Sequence, residues 1–206
     1  MDSASDTLLW MIDAGPYQPG MLAPYHAWLG QDEQARCERF VRPERRRQFV
    51  VGRALLRSML GRLLDIAPQA VTLIEQPGKA PALARAMTTP IGLSISHSGP
   101  WVACAVSAKT AVGLDIERID PARDVLALAE QAFGADDVAI LRACEPAMRH
   151  AAFYRMWCAH EACIKLGRRA GAIAYPAAGK GLAAALACAE ALPLPPIMQL
   201  VRLPDL

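Results

Sequence analysis

Acidic side chains alternate with apolar ones between Val112 and Glu117, and they are the first candidates for chemistry in this 206-residue chain. The alternation predicts a β-strand that buries Val112, Leu114 and Ile116 on one face. Asp115 and Glu117 then share the other face, about 7 Å apart at roughly 3.3 Å of rise per residue. Two carboxylates so placed suit a hard cation such as Mg²⁺, which completes its shell from phosphates. Taken alone, the stretch fits a strand with a solvated acidic edge at least as well.

A third carboxylate and a lysine lie further along the chain, in a helix predicted from Pro146 to about Leu166. Glu161 and Lys165 are one helical turn apart, which is the spacing of a helical salt bridge worth about 0.3–0.5 kcal/mol. The functional alternative places a third metal ligand beside a cation. Gly113 lies on the acidic face of the predicted strand and leaves room there for something bulky to approach.

Upstream of the acidic strand, residues 93–98 alternate apolar and small polar side chains before a Gly-Pro turn and an apolar strand at residues 101–106. Residues 93–98 carry Ser96 and His97. Residues 108–110 link the apolar strand to the acidic strand, and two such strands joined by a short turn predict a β-hairpin. A lone lysine, Lys79, lies in an earlier turn rich in proline and glycine. His97 by itself is typical of a turn histidine, but its place among serines favours a ligand-binding role.

Nine arginines and only two acidic residues, Glu38 and Glu44, lie between Arg36 and Arg62, a local excess of seven positive charges. Such a surface attracts phosphate, an acidic protein or nucleic acid. Much of it falls on a helix predicted at residues 43–64, where helical spacing gives one apolar face and one arginine row. A solvated helix face explains part of this charge but not its concentration.

The remaining pattern predicts a strand at residues 7–12, helices near 23–29, 32–40, 121–128 and 137–143, and a strand at 71–75. An alanine-rich helix is expected at about 180–192 and a last strand at 197–203. A boundary near residue 107 divides the chain into two parts of similar length. We therefore predict an N-terminal lobe at residues 1–107 and a C-terminal lobe at residues 108–206.

The composition and the distribution of charged and apolar residues are those of a globular protein. An apolar fraction of 53% with 20% charged residues is ordinary for a globular chain. The acidic N-terminus lacks the basic start of a signal peptide, and proline and glutamate interrupt the longest apolar tract, residues 181–201. Six cysteines without a CxxC pair are expected to be reduced core thiols. These features predict a cytoplasmic protein.

Together, three carboxylates, a serine-histidine segment, a turn lysine and clustered arginines fit Mg²⁺-assisted chemistry on a polyphosphate. The sequence contains no Walker loop, GxGxxG, HExxH or GxSxG motif. It therefore gives no support for the common classes of nucleotide-binding protein, zinc enzyme or serine hydrolase. A nucleic-acid-binding module built on the arginines lacks the interleaved aromatic residues and known motifs of that class.

The same residues resemble a known family. Residues 112–117 (Val-Gly-Leu-Asp-Ile-Glu) and 157–165 (Trp-Cys-Ala-His-Glu-Ala-Cys-Ile-Lys) resemble the two signature motifs of the 4′-phosphopantetheinyl transferases. Residues 94–98 and the Gly78-Lys79 pair are similar to its coenzyme A segments, and residues 52–57 to its first-lobe helix. The chain length resembles the larger, monomeric Sfp-type branch.

The resemblance implies an α+β fold in which two similar lobes, each of antiparallel sheet plus helices, meet in a pseudo-twofold arrangement with the site in the cleft between them. It implies transfer of the 4′-phosphopantetheine arm of coenzyme A to a serine of an apo acyl or peptidyl carrier protein. The implied metal, Mg²⁺ with Mn²⁺ as the alternative, has three ligands: Asp115, Glu117 and Glu161. The implied coenzyme A residues are Arg47, Arg53, Lys79, Ser96, His97 and Lys165. The implied catalytic residues are Glu161, Lys165 and Asp115.

The chain departs from the family pattern at several positions. His160 replaces the usual lysine before Glu161, Gln48 replaces an arginine, and an alanine separates Lys79 from the following proline. None of these changes removes an implied metal ligand. His160 and the poor, early-ending match after Lys165 motivate an alternative function, a catalytically weak relative that acts as a carrier-binding or adaptor protein. In either case we expect a carrier protein of fatty-acid, polyketide or peptide synthesis as partner, and neither nucleic acid nor a membrane.

Overall fold

In a computed structural model, which describes residues 6–76, 79–84, 91–194 and 196–205, the chain is an α+β protein. The helices of this described part are α1 (Pro19–His26), α2 (Gln31–Glu38), α3 (Pro43–Leu64), α4 (Val125–Ala132), α5 (Ala135–Ala143) and α6 (Pro146–Leu166). Its strands are β1 (Thr7–Asp13), β2 (Leu73–Ile74), β3 (Ala82–Leu83), β4 (Gly92–Ser98), β5 (Trp101–Ser107), β6 (Val112–Arg118), β7 (Ala172–Ala174), β8 (Leu182–Cys188) and β9 (Gln199–Leu200). The predicted bounds of α3 and α6 are confirmed.

The first sheet has the strand order β4-β5-β1-β9. β4 and β5 form a hairpin, which turns at Gly99 and Pro100, and β5 pairs antiparallel with β1. The predicted hairpin of β5 with the acidic strand β6 is wrong, because β6 pairs with β8 in another sheet. β9 adds to the other edge of β1 in the parallel sense, so the predicted last strand is reduced to two residues. The amide of Leu203 also donates to the hydroxyl of Tyr17, which ties residues near the C-terminus to the first half of the chain.

α3 is the central helix of the first half, and it is buried on nearly all sides. Every residue from Gln48 to Gly61 is buried, including Arg53 and Arg57. A solvated helix face, one of the two alternatives for the arginine row, therefore does not account for those two positions. The helix packs against the first sheet on one side and against α1 and α2 on others, so it has little free surface left.

The second sheet has the order β6-β8-β7, with both strand pairs antiparallel, and α6 packs across β6 and β8. Residues 182–188 form its central strand, so the prediction of an alanine-rich helix is wrong there. Ala185 and Ala187 lie against Cys158 and Ala162 of α6 in one buried cluster. Small side chains on β8 let the helix approach the sheet, and this packing outweighs the helix preference of alanine.

α4 and α5 pack against the first half of α6 around Phe153 and Tyr154, both buried. Phe133, between α4 and α5, contacts the rings of Phe153 and Trp157. Trp157 thus packs among aromatic rings on the helix that carries Glu161. In the described part of the chain, none of the helices combines the length and the hydropathy that a membrane crossing requires.

Candidate active site

α6 reaches β6 closely because Gly113 has no side chain. A Cβ atom at Gly113 would overlap the carbonyl oxygen of Ala162 and the amide nitrogen of Leu166. The bulky group that the sequence predicts to approach this glycine is therefore the backbone of α6 itself. This close contact brings the end of the helix that carries Lys165 to the acidic face of the strand that carries Asp115.

Lys165 and Asp115 meet at this contact. Nζ of Lys165 donates to Oδ1 of Asp115 at 2.7 Å and to Oγ of Ser96 at 3.0 Å, and Ser96 donates to the same carboxylate oxygen at 2.9 Å. Asp115 and Ser96 are each 4% exposed. Lys165 therefore pairs across the structure with the strand rather than along its own helix with Glu161, and the local salt bridge is not formed.

Glu117 lies two residues further along β6 and is half-buried. Ser98 donates to its Oε2 at 2.6 Å. Burial, together with the nearby negative charge of Asp115, raises the pKa of Glu117, although the hydrogen bond from Ser98 opposes the shift. A carboxylate in this situation gains from a nearby cation, because positive charge stabilises its ionised form.

One observation supports a magnesium ion beside Asp115. Oδ2 of Asp115 is a buried carboxylate oxygen with no hydrogen-bond partner among the described residues, and carboxylate oxygens are the ligands that Mg²⁺ takes in proteins. Glu161 is half-buried on the same helix as Lys165. In residues 6–76, 79–84, 91–194 and 196–205, no cluster of three or more His, Cys, Asp or Glu side chains is arranged to hold a metal. Asp115, Glu117 and Glu161 stay a predicted ligand set.

A cleft of about 1020 Å³ opens beside Lys165, between the two halves of the chain. Its walls are formed by residues 79–83, by β4, by the start of β6 and by the end of α6. Lys79 and Lys165, both predicted to bind coenzyme A, line this cleft, together with Arg36 and Arg168. Gly78, which forms the predicted pair with Lys79, lies outside the described residues. Four cationic side chains in one partly apolar cleft suit a ligand with several phosphates and an apolar part.

His97 lies on the opposite face of β4 from Ser96, and Arg45 is its neighbour. Nη1 of Arg45 lies 2.7 Å from Nε2 of His97 and donates to Oε1 of Gln48 at 2.8 Å. Partial desolvation of the ring and the positive charge of Arg45 lower the pKa of His97, which favours the neutral imidazole that can accept this hydrogen bond. Arg45 thus stands next to the position where the family pattern has an arginine and this chain has Gln48.

The other two arginines predicted to bind coenzyme A have different partners. Arg47 donates to the carbonyl oxygen of Gly15 at 2.8 Å and so fixes the loop after β1. Arg53 is 4% exposed, and its guanidinium pairs with Glu33 at 2.9 Å and with Glu75 at 2.5 Å. The structure does not bring these two arginines to His97, and their assignment to coenzyme A stays a prediction.

A buried ion network around Arg53 was not anticipated from the sequence. Glu33, 1% exposed, pairs with both Arg53 and Arg57, while Glu75 pairs with Arg53 and Arg36. Burial alone would raise the pKa of Glu75, but the guanidinium groups of Arg53 and Arg36 outweigh it and hold the pKa below its usual range. The network ends at Arg36 in the cleft wall, and its partner Glu75 precedes Lys79 by four residues in the sequence.

His160, which stands where the family pattern has lysine, is exposed and turned toward α4 and α5. Its ring lies 6.1 Å from that of Phe133 in an edge-on arrangement. It therefore lies to one side of the Lys165–Asp115 contact, as its position about 100° around the helix from Glu161 predicts.

Two family models match adjacent parts of this chain. Residues 19–109 match the model described as "4′-phosphopantetheinyl transferase, N-terminal", and residues 111–178 match that of the 4′-phosphopantetheinyl transferase superfamily. The chain belongs to the 4′-phosphopantetheinyl transferase superfamily. Within this superfamily match lie β6 and α6, the two elements that meet at Lys165 and Asp115.

Several curated members of the superfamily are similar in sequence. The chain is 35% identical over 159 residues to the 4′-phosphopantetheinyl transferase HetI of Nostoc sp., covering 76% of this chain and 66% of HetI. It is 28% identical over 142 residues to a 4′-phosphopantetheinyl transferase of Bacillus subtilis, covering 68% and 60%. It is 36% identical over 121 residues to AcpT of Salmonella typhi, covering 59% and 58%. The chain thus spans between 58% and 66% of the length of these relatives.

Proposed function

We propose that this protein transfers the 4′-phosphopantetheine arm of coenzyme A to a serine of an apo acyl or peptidyl carrier protein, with Mg²⁺ or Mn²⁺ as cofactor. The observation that carries the proposal is the contact of Lys165 with Asp115 and Ser96 at the edge of a cationic cleft. A phosphate-bearing ligand in that cleft would have its charged end beside the acidic face of β6. The superfamily match covers the same elements.

In this proposal the coenzyme A nucleotide occupies the cleft between β4 and the end of α6. Lys79 and Arg36 neutralise phosphate charge from the first half of the chain, and Lys165 does so from the second. The pair formed by Arg45 and the neutral His97 offers further hydrogen-bond donors at the other end of β4. Charge neutralisation of this kind is what phosphoryl transfer requires most from a protein.

The proposed reaction forms a bond from the carrier serine oxygen to the β-phosphorus and breaks the bond between that phosphorus and the bridging oxygen. Adenosine 3′,5′-bisphosphate leaves. Glu161 accepts the serine proton, directly or through water, because it lies on the cleft helix one turn from Lys165. Asp115, Glu117 and Glu161 would hold the metal, whose chemistry is to stabilise negative charge on the phosphate oxygens.

We also propose the two-lobed arrangement, with lobes at residues 1–107 and 108–206 and a pseudo-twofold relation between them. Each part has an antiparallel sheet and one long helix, α3 in the first and α6 in the second. The two family matches meet between residues 109 and 111. Residues 199–203 belong to the second lobe by position but pack on the first sheet.

The carrier protein is proposed to dock beside the cleft, with the outward-facing arginines attracting its acidic surface. The structure redefines which arginines are available for this. Arg39 and Arg42 are exposed, whereas Arg36 lies in the cleft and pairs with Glu75. A charge-reversal test of steering therefore uses Arg39 and Arg42. Monomeric state and cytoplasmic location stay predictions from the sequence.

The decisive experiment is intact-mass spectrometry of an apo carrier protein incubated with this protein, coenzyme A and Mg²⁺. We expect the carrier to gain the mass of one phosphopantetheine group, and we expect Glu161→Gln or EDTA to abolish the gain. If coenzyme A binds but several carrier types gain no mass, the alternative of a catalytically weak, carrier-binding relative is favoured. If coenzyme A does not bind, the proposed function is wrong.

A further inference from the structure

Three serines of β4 join the first sheet to the second. Ser94, Ser96 and Ser98 alternate along the strand, so their side chains share one face. Their hydroxyl oxygens accept hydrogen bonds from the backbone amides of Leu114 at 2.9 Å, Ile116 at 3.2 Å and Arg118 at 2.9 Å. β6 pairs with β8 along its other edge. The serine hydroxyls therefore accept hydrogen bonds from amides on the edge of β6 that faces away from β8. We call the three residues the serine ladder.

Two members of the serine ladder also donate their single proton. Ser96 donates to Asp115 and Ser98 donates to Glu117, in each case the residue before the amide that the serine accepts from. At Ser94 the corresponding residue is Gly113, which has no side chain to receive the proton. Three serine–amide hydrogen bonds thus connect the two sheets. Only two of these serines also bind a carboxylate, and both carboxylates are predicted metal ligands on β6.

The hydrogen bond that Ser98 donates holds the carboxylate of Glu117 in one orientation. A glutamate side chain has three rotatable bonds, and fixing them costs conformational entropy unless neighbours hold them in place. Ser98 is the hydrogen-bond partner that the structure gives Glu117, and it occupies Oε2. The other oxygen of Glu117 is left for a cation, in the same way that Oδ2 of Asp115 is left by Ser96 and Lys165.

We propose that the hydroxyl of Ser98 is a positioning group that fixes Glu117 for metal binding, as the hydroxyl of Ser96 does for Asp115. The proposal rests on the proposed function. It gives a role to Ser98, to which the resemblance assigns none, and a different role to Ser96, which the resemblance assigns to coenzyme A. It also reassigns Ser96, whose hydroxyl is fully used within the protein: it accepts from Lys165 and Ile116 and donates to Asp115. A hydroxyl has one proton to donate and two lone pairs, so no capacity remains for a nucleotide.

The test is titration of Mn²⁺ into the full chain saturated with coenzyme A, followed by electron paramagnetic resonance, for the wild type, Ser98→Ala, Ser98→Thr and Ser94→Ala. Partners that orient metal ligands typically contribute about 10–100-fold in metal affinity. We expect Ser98→Ala to bind Mn²⁺ at least about tenfold more weakly, and Ser98→Thr, which keeps the hydroxyl, to recover most of that affinity. Ser94→Ala removes a link of the same join without touching a carboxylate. Ser94 also lines the cleft proposed for coenzyme A, so the titration uses a coenzyme A concentration shown to saturate this variant, and we expect wild-type Mn²⁺ affinity there.

Thermal unfolding and coenzyme A binding in EDTA are measured on the same four proteins. We expect coenzyme A affinity without metal to be the same for Ser98→Ala and the wild type. Wild-type Mn²⁺ affinity in Ser98→Ala, or an equal loss in Ser94→Ala and Ser98→Ala, would overturn the positioning role while leaving the proposed function standing. If Ser98→Ala does not fold, the comparison of Ser98→Thr with Ser94→Ala decides, since a loss confined to Ser98→Thr contradicts the role. A wild type that binds no Mn²⁺ with coenzyme A overturns the proposed function and this inference together.

Discussion

Nζ of Lys165 lies 2.7 Å from Oδ1 of Asp115, and this ion pair joins the end of α6 to the middle of β6. It occupies one oxygen of the carboxylate and leaves Oδ2 buried, with no hydrogen-bond partner among the residues that the structure describes. The pair therefore holds a cation beside the cleft, and it leaves the second carboxylate oxygen available to the proposed metal ion. The predictions below follow from this contact and from the elements that support it.

Lys165→Met keeps the length of the side chain but removes its charge. We expect carrier modification to slow by about 100-fold, because a positioned charge that stabilises developing phosphate charge contributes on that scale. We expect Mn²⁺ binding to persist, since Oδ1 of Asp115 becomes available when the lysine is gone. Rates at saturating coenzyme A and Mn²⁺ titrations measure the two effects. Lys180→Met, at an exposed position, is the matched control, and a full loss of metal binding in Lys165→Met would contradict this account.

Gly113→Ala tests the close contact between β6 and α6. The added methyl would overlap backbone atoms of Ala162 and Leu166, which cannot rotate away, so the helix must shift. We expect a loss of about 1–3 kcal/mol in unfolding free energy and a larger loss of carrier modification. Urea unfolding and the mass assay measure them. Gly134→Ala is the control, because a Cβ there meets no atom within 4 Å, and wild-type activity in Gly113→Ala would show that the contact is not needed.

Arg45→Ala and Arg47→Ala separate two arginines that the sequence could not distinguish. Arg45 contacts His97, whereas Arg47 binds the carbonyl of Gly15. We expect Arg45→Ala to raise KM for coenzyme A by about tenfold, the size of one charge-assisted hydrogen bond to a phosphate. Arg47→Ala should affect stability more than KM. Steady-state kinetics at fixed carrier concentration decides, and a larger increase of KM in Arg47→Ala would return the assignment to Arg47.

Glu75→Gln should lower stability in a pH-dependent way. Burial alone would raise the pKa of Glu75, but Arg53 and Arg36 outweigh it and hold the pKa below its usual value of 4.5. A carboxylate with a lowered pKa in the folded state contributes stability above its unfolded pKa and loses it as pH falls through the folded pKa. We expect a loss of about 3 kcal/mol at pH 7. The difference from the wild type should shrink below pH 4.5.

Urea midpoints of both proteins at pH 7, and at the lowest pH at which both still fold, measure this difference. Glu38→Gln removes an exposed carboxylate from the same half of the chain and should change neither midpoint. A difference between Glu75→Gln and the wild type that stays constant down to low pH would show that charge is not the reason for the effect.

Strong local patterns predicted their elements well. The alternation around Asp115 predicted the acidic strand, and the three apolar residues of its other face are 0–4% exposed. Proline at the start and helical spacing predicted α3 and α6 at their observed bounds. These patterns succeed because burial on one face of a strand or helix imposes a fixed period on the sequence.

Contacts between distant segments could not be predicted in the same way. Glu33 and Arg57 form a buried pair, yet nothing in the exposed-looking α2 sequence marks Glu33 as a core residue. Ala185 lies in a strand although alanine favours helix, because α6 leaves space only for a small side chain. The serine ladder likewise depends on how β4 and β6 meet, and the sequence showed only that the serines alternate.

The parallel pairing of β9 with β1 has a consequence for how the protein is made. Tyr17 and Leu203, which are hydrogen-bonded beside this pair, are 186 residues apart in the chain. During synthesis, β9 is therefore made after all the other strands and the helices α1 to α6. One edge of β1 stays unpaired until then. Contacts of such long sequence separation form slowly, since a large loop must close first. The second half, whose strands and helix are neighbours in sequence, can assemble before the first half is complete.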